Sequence, residues 1–264
     1  MNTKPRISVV TTSFNTASVI EKTIRSVISQ DYGDYEYIII DGGSTDGAQE
    51  VIGRYFDQIA VFTSEKDRGI YDGMNKGVLA ATGDFVIFLN ADDIFVDGSV
   101  LSDVAEFIVS HPEADVVYGN SEQVQEYGTF TVRPTIAYIG HKMAISHQAA
   151  FVRRTLLLDH PFDLRYKYAA DFEQLSALYL DGRKFEHFDR TVARVEMRDG
   201  ATFRHHIESA EEMYSIIEGR GIDISAERRK IIRHKKMVRA FRSYLPGFVT
   251  KPVLRFLAKH YKVL

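Results

Sequence analysis

The sequence predicts an α/β fold: a mostly parallel, doubly wound sheet with helices on both faces, followed by a basic helical extension at the C-terminal end. Three observations carry this expectation. Over the first hundred residues, short apolar runs alternate with segments of helical periodicity, the pattern of strands paired in parallel through right-handed crossovers. The apolar runs end in polar groups rich in Asp, Asn and Gly, and an open parallel sheet binds its ligands at that rim. From Ser225 onward, twelve Lys and Arg face a single acid, Glu227, a balance of +11 that leaves −14 for the rest of the chain. So uneven a division points to two regions with different tasks, and we expect a domain over residues 1–205 and a helical, basic extension over 206–264.

The elements follow in order. Ile7 to Thr11 reads as a buried strand that stops at Thr12-Ser13-Phe14-Asn15. From Ala17 to Gln30, the residues Val19, Ile20, Ile24, Val27 and Ile28 recur at helical spacing. Tyr35 to Ile40 is a second strand, and Asp41-Gly42-Gly43-Ser44-Thr45-Asp46-Gly47 a loop opening onto a helix. Ile59 to Thr63 is a third strand, Ile70 to Ala81 a helix closed by Gly83, and Phe85 to Leu89 a fourth strand that runs into Asn90-Ala91-Asp92-Asp93. Beyond this the pattern is less regular. Val116 to Tyr118, Gln123 to Tyr127 and Phe130 to Val132 read as short strands with a hairpin at Gly128, Phe172 to Leu180 as a helix, and Lys184 to Phe188 as a strand. From Ile207 the pattern is helical to about Tyr244, with a break near Gly219 to Gly221.

Composition narrows the chemistry. Apolar residues make up 45% and charged residues 26% of the 264, as in an ordinary globular chain. With no cysteine, disulfides, thiolate catalysis and cysteine-bound zinc are excluded. The segment Ile7 to Val10 is too short for a signal core, and no apolar run reaches eighteen residues. A cytoplasmic protein, peripheral at the inner face of a membrane, is the expectation.

The acids gathered at several strand ends call for a ligand rich in hydrogen-bond donors that also brings a cation. A nucleotide sugar has both: base and ribose hydroxyls donate, and a diphosphate is held through a divalent metal. Competing phosphate signatures are missing. No Gly-x-Gly-x-x-Gly follows the first strand, and no Gly-Lys-Ser/Thr loop follows any strand.

Four blocks in order, Ile7 to Asn15, Asp41 to Gly47, Glu65 to Gly77 and Leu89 to Asp93, resemble those of family 2 glycosyltransferases with the GT-A fold, over roughly Ile7 to Arg190. The resemblance implies an inverting, metal-dependent enzyme that moves a sugar from a nucleotide diphosphate to an acceptor hydroxyl in cell-surface glycan synthesis. It implies nucleotide-sugar contacts for Thr11, Asn15, Asp41, Asp67, Tyr71, Asn75, Asn90 and Asp92. Asp92 and Asp93 stand where the family holds its Mn²⁺ or Mg²⁺, with Asn90 replacing the usual first Asp of the Asp-x-Asp motif; which of the two aspartates is the main ligand is left open. Asp171, in Ala170-Asp171-Phe172-Glu173, matches the family's acidic base motif, and a general base there is worth about 10²–10⁴-fold in rate. His147 in Ser146-His147-Gln148 is expected at the acceptor, the diphosphate or the metal.

Simpler readings stand beside these. Asp41, Asp46 and Asp72 suit turns and helix caps, as does Asp171, and His147 suits a structural role. A sugar nucleotidyltransferase would carry a Gly-rich, Arg- and Lys-containing signature after the first strand, which is not there. A non-catalytic nucleotide-sugar-binding module of the same fold is the other alternative. The tail reads either as a solvated helix face or, with its interleaved Ile231, Ile232, Val238, Phe241, Leu245 and Phe248, as a surface for anionic lipid and a lipid-linked acceptor. Nucleic acid is not an expected partner, because the rest of the chain is acidic.

Overall fold

The computed structural model describes residues 4–126, 128–197, 205–225, 228–229, 231–233 and 236. Most of the basic tail, from residue 237 onward, lies outside the described residues, as does Tyr127 at the expected hairpin. Among the described residues, nine strands form one sheet in the order β3-β2-β1-β4-β8-β6-β9-β5, with β7 paired to β6. They are β1 (Ile7–Ser13), β2 (Tyr35–Asp41), β3 (Val61–Ser64), β4 (Phe85–Phe88), β5 (Ile94–Phe95), β6 (Val116–Gln125), β7 (Gly128–Val132), β8 (Ala150–Arg153) and β9 (Phe185–Glu196). The helices are α1 (Ile20–Ile28), α2 (Ala48–Gly53), α3 (Ile70–Ala80), α4 (Val100–Ser110), α5 (Arg154–Asp159), α6 (Ala170–Leu180) and α7 (His206–Gly219).

The parallel pairing expected of the first hundred residues holds from β3 through β2 and β1 to β4. Beyond β4 the sheet is mixed: β8 runs antiparallel to β4 and β6, while β6 and β9 are parallel. Two expected short strands, at Val116 and Gln123, are one continuous β6. Helix α4 is not anticipated from sequence, although Val100, Leu101, Val104, Ala105 and Ile108 are all buried at helical spacing. The β8–α5 segment is not anticipated either.

Alternation along the central strands builds two cores. Val9, Ile39, Phe85 and Ile87 face α1 and α4 in one cluster, while their neighbours Val10, Ile38, Ile40, Val86 and Phe88 face α3, α5 and α6 in the other. Successive side chains of a strand point to opposite faces, so burial on both sides gives near-continuous apolar runs. Each fully buried aliphatic or aromatic side chain contributes about 1.5–3 kcal/mol. Helix α3 lies so near β1 that a Cβ on Gly77 would meet Val10 Cγ1 at 2.3 Å. Helix α7 joins a third cluster, with Ala210, Tyr214, Ile216 and Ile217 packed on Ala169 and Phe172. The expected boundary at 205/206 therefore falls just after the undescribed 198–204 stretch and before a helix docked on α6. No helix among the described residues is long and apolar enough to cross a membrane.

Candidate active site

At the carboxyl ends of β1, β2 and β3 the polar loops are tied to one another. Asp41 is fully buried. Its Oδ2 accepts from Gly43 N (3.2 Å), Ser44 N (2.8 Å) and Ser64 Oγ (2.7 Å), and Oδ1 accepts from Ser44 Oγ. Burial pushes this carboxyl upward, but the donated hydrogen bonds outweigh it and hold it below its ordinary value. Asn15, with φ of 52°, clips two loops together: its N–H donates to Ser44 Oγ and its Oδ1 accepts from Thr45 N. Asp46 accepts from Ala17 N and Ala48 N, the second at the start of α2. Asp67 lies across Gly42, where an added Cβ would meet its Oδ2 at 2.6 Å. A side chain at position 42 would require Asp67 to shift.

Two residues expected at the nucleotide sugar are placed in the framework. Thr11 is fully buried, and its Oγ1 donates to Leu89 O at 2.7 Å beside the Tyr37 hydroxyl. Asn75 holds the backbone of Phe162 at both of its polar ends, each at 2.9 Å. Asp72 accepts from the backbone and guanidinium of Arg68 at the start of α3.

The end of β4 divides its acids. Asp93 is 5% exposed; its Oδ2 accepts from Gln148 Nε2 and its Oδ1 from Glu196 N, both at 3.0 Å. Burial pushes its carboxyl up to about 6. Asp92 has φ of 88°, keeps 24% of its side chain exposed and pairs with Lys22 of α1. Among the described residues no group of three or more His, Asp and Glu converges to hold a metal. A cation shared with substrate phosphates needs only one or two protein carboxylates. Asp92 fits that need, whereas both oxygens of Asp93 are engaged.

From Asn90 a hydrogen-bonded chain crosses to α6. Thr12 Oγ1 donates to Asn90 Oδ1 (2.8 Å), and Asn90 Nδ2 meets His147 Nε2 (3.0 Å). His147 Nδ1 lies 2.7 Å from Asp171 Oδ2, and Tyr71 OH donates to Asp171 Oδ1 at 2.9 Å. An amide nitrogen only donates, so Nε2 accepts and Nδ1 donates to Asp171. Tyr71 stacks on Phe162, which meets Phe88 edge-on. Burial first, then the Asp171 charge, pushes the Tyr71 phenol well above its ordinary value, so it stays a donor. Of the sequence candidates, Tyr71, Asn90, His147 and Asp171 are thus brought into one connected group. Thr12, Gln148 and Lys22 join the site without having been singled out. Thr12 and Gln148 lie inside quoted motifs, whereas Lys22 gives no signal beyond a charge on a helix.

Comparison with known proteins identifies the family. Residues 8–162 match the model of Glycosyl transferase family 2. A PGL/p-HBAD biosynthesis glycosyltransferase of Mycobacterium bovis is 34% identical over 177 residues, covering 64% of this chain and 68% of its own. An uncharacterized glycosyltransferase of Mycobacterium tuberculosis is 31% identical over 182 residues, covering 66% of this chain and 68% of its own. Among solved structures, the mannosyltransferase PcManGT of Pyrobaculum calidifontis, in complex with GDP-Man and Mn²⁺, superposes with a TM-score of 0.68 at 18% identity, covering 99% of this chain and 82% of that one. S. aureus TarS 1-349 with UDP-GlcNAc gives a TM-score of 0.65 at 21% identity, covering 90% and 73%; the chain spans 43% of the longer TarS structure. The sheet is therefore the GT-A-like sheet of these enzymes, and the chain belongs to glycosyl transferase family 2.

Proposed function

We propose that this glycosyltransferase moves a sugar, with inversion, from a nucleotide-diphosphate donor to an acceptor hydroxyl, and that Asp171 is its general base. The observation that carries the reading is the chain Thr12–Asn90–His147–Asp171–Tyr71, which joins the donor-side strand ends to the helix of the acidic motif. Asp171 receives two side-chain hydrogen bonds that fix its plane. An acceptor hydroxyl within reach gives up its proton to this carboxylate as its oxygen bonds to the anomeric carbon, and the nucleoside diphosphate departs from the opposite face. His147 holds the carboxylate in place from Nδ1.

The Asp41 loop, Asn15 and Asp67 form the rim offered to base and ribose, with Thr11 and Asn75 supporting it from behind. Asp92 is the carboxylate offered to a divalent ion, which when bound supplies positive charge to the leaving diphosphate; Asp93 supports Asp92 through Gln148 and β9. The donors carried by PcManGT and TarS 1-349, GDP-Man and UDP-GlcNAc, support a nucleotide-sugar donor here. A lipid-linked acceptor, and cytoplasmic placement at an anionic membrane surface through the basic tail, belong to the same reading.

The test is release of nucleoside diphosphate from UDP-GlcNAc and GDP-mannose by the purified full chain, with Mn²⁺ and without it. Metal-stimulated release from one donor is the expected result. Tight donor binding with no release from any nucleotide sugar would leave the non-catalytic module in its place.

A further inference from the structure

The helix that carries Asp171 has no cap of its own. Lys167, Tyr168 and Ala169 lead into α6, and no side-chain cap bond is made at Ala169. Consecutive backbone N–H groups at a helix entrance form a concave anion site. Here the anion comes from the protein itself. Glu212, on α7, accepts from Lys167 N at 3.0 Å through Oε1, and from Tyr168 N at 2.8 Å and Ala169 N at 3.1 Å through Oε2. The carboxylate also places negative charge at the positive end of the α6 dipole.

A second tie lies one turn farther on. Arg220 Nη1 donates to Ser176 Oγ at 2.8 Å and Nη2 to Glu173 O at 3.2 Å, with the guanidinium near the Phe172 ring. Between the two ties, Ala210, Tyr214 and Ile217 pack on Ala169 and Phe172. The charge of Glu212 is also felt at the phenol that donates to Asp171: behind burial and Asp171, it adds to the upward push on Tyr71.

We infer that Glu212 is a positioning residue for Asp171, and that α7, which lies beyond the 8–162 family match, belongs to the catalytic unit. The inference rests on the reading of Asp171 as the base. Asp171 is the second residue of α6, so its carboxylate moves with whatever fixes the helix entrance. Loss of the three N–H bonds lets the first turn fray and spoils the alignment with Tyr71 and His147. Small misplacements of a catalytic group cost rate far more than they cost substrate binding.

Glu212→Ala and Glu212→Gln in the full chain test this by kinetics and by amide hydrogen exchange. With UDP-GlcNAc or GDP-mannose as donor, Glu212→Ala should lower kcat by about tenfold or more while donor KM stays within about twofold. Exchange should speed up at residues 167–172 and stay unchanged in β1, β2 and β4. Glu212→Gln keeps one acceptor oxygen and should fall between Ala and wild type. Wild-type kcat in Glu212→Ala, or unaltered exchange at 167–172, would overturn the inference. So would a joint loss of turnover, donor affinity and sheet-wide protection, which marks a merely structural residue. If Glu212→Ala fails to fold, Glu212→Gln decides by the same split. If neither donor turns over in the wild type, exchange at 167–172 alone upholds or overturns the tether.

Discussion

Asp41 and Asp171 are both buried carboxylates at the same rim of the sheet, yet they are held in opposite ways. Asp41 is satisfied by its own turn, through Gly43 and Ser44, and by Ser64 on the next strand. Asp171 accepts one local bond, from Phe172 N, and takes its side-chain bonds from His147, 24 residues away, and Tyr71, 100 residues away. A locally tied carboxylate makes a rigid shelf and contributes stability. One held by remote partners can be aimed, and its placement depends on every element that carries a partner. On the proposed reading, the donor side of this site is built the first way and the acceptor side the second.

The sharpest break of that contrast is Asp171→Asn. The amide keeps the size but takes no proton, so kcat should fall by about 10²–10⁴-fold while nucleotide affinity stays near wild type. Equal turnover in this variant would remove Asp171 as base.

Asp41→Asn should act in the other direction, mainly on stability. With one oxygen replaced, donors from Ser44 or Ser64 lose their acceptor in a buried place, a loss of about 2 kcal/mol that thermal or urea unfolding would measure. The pH dependence has a definite sign. The Asp41 carboxyl is held below its unfolded value, as is Glu36, where burial is outweighed by bonds from Ser8, Thr82 and Gly83. Their contribution is complete above about pH 4, near the unfolded carboxylate range, and is lost as pH falls through the folded values. Asp41→Asn should flatten this acid limb of the stability profile; an unchanged limb would show that the local tie is not energetic.

The smallest effect tests the junction of the two sides. Lys22 covers Asp92 with a pair that is part-exposed on both partners, worth at most about 1 kcal/mol. Lys22→Ala should therefore leave stability almost untouched and lower the Mn²⁺ concentration for half-binding by up to about fivefold, measured calorimetrically in the presence of nucleoside diphosphate. Weaker Mn²⁺ binding would mean that Lys22 assists the ligand and does not compete with the ion.

By itself the sequence determined the α/β class, the positions of the first four strands along the chain, and the residue types at their ends. Apolar period and turn chemistry are local, and Asp41 is held chiefly by the turn that follows it, in a loop that the sequence already outlines. The helix over 100–110 and the β8–α5 segment escaped because their burial is set by a sheet whose second half is mixed. Only the tertiary structure decided that Asp93 turns inward to Gln148 and Glu196 while Asp92 stays at the rim. It also decided that Asn75 serves Phe162, and that Asn90 reaches His147 and through it Asp171. Glu212 is the extreme case: one acid among several on a polar helix, distinguished by nothing except the three N–H groups that folding brings to it from more than forty residues away. Side-chain direction and long-range pairing follow from how helices dock on the sheet, and no local pattern encodes that.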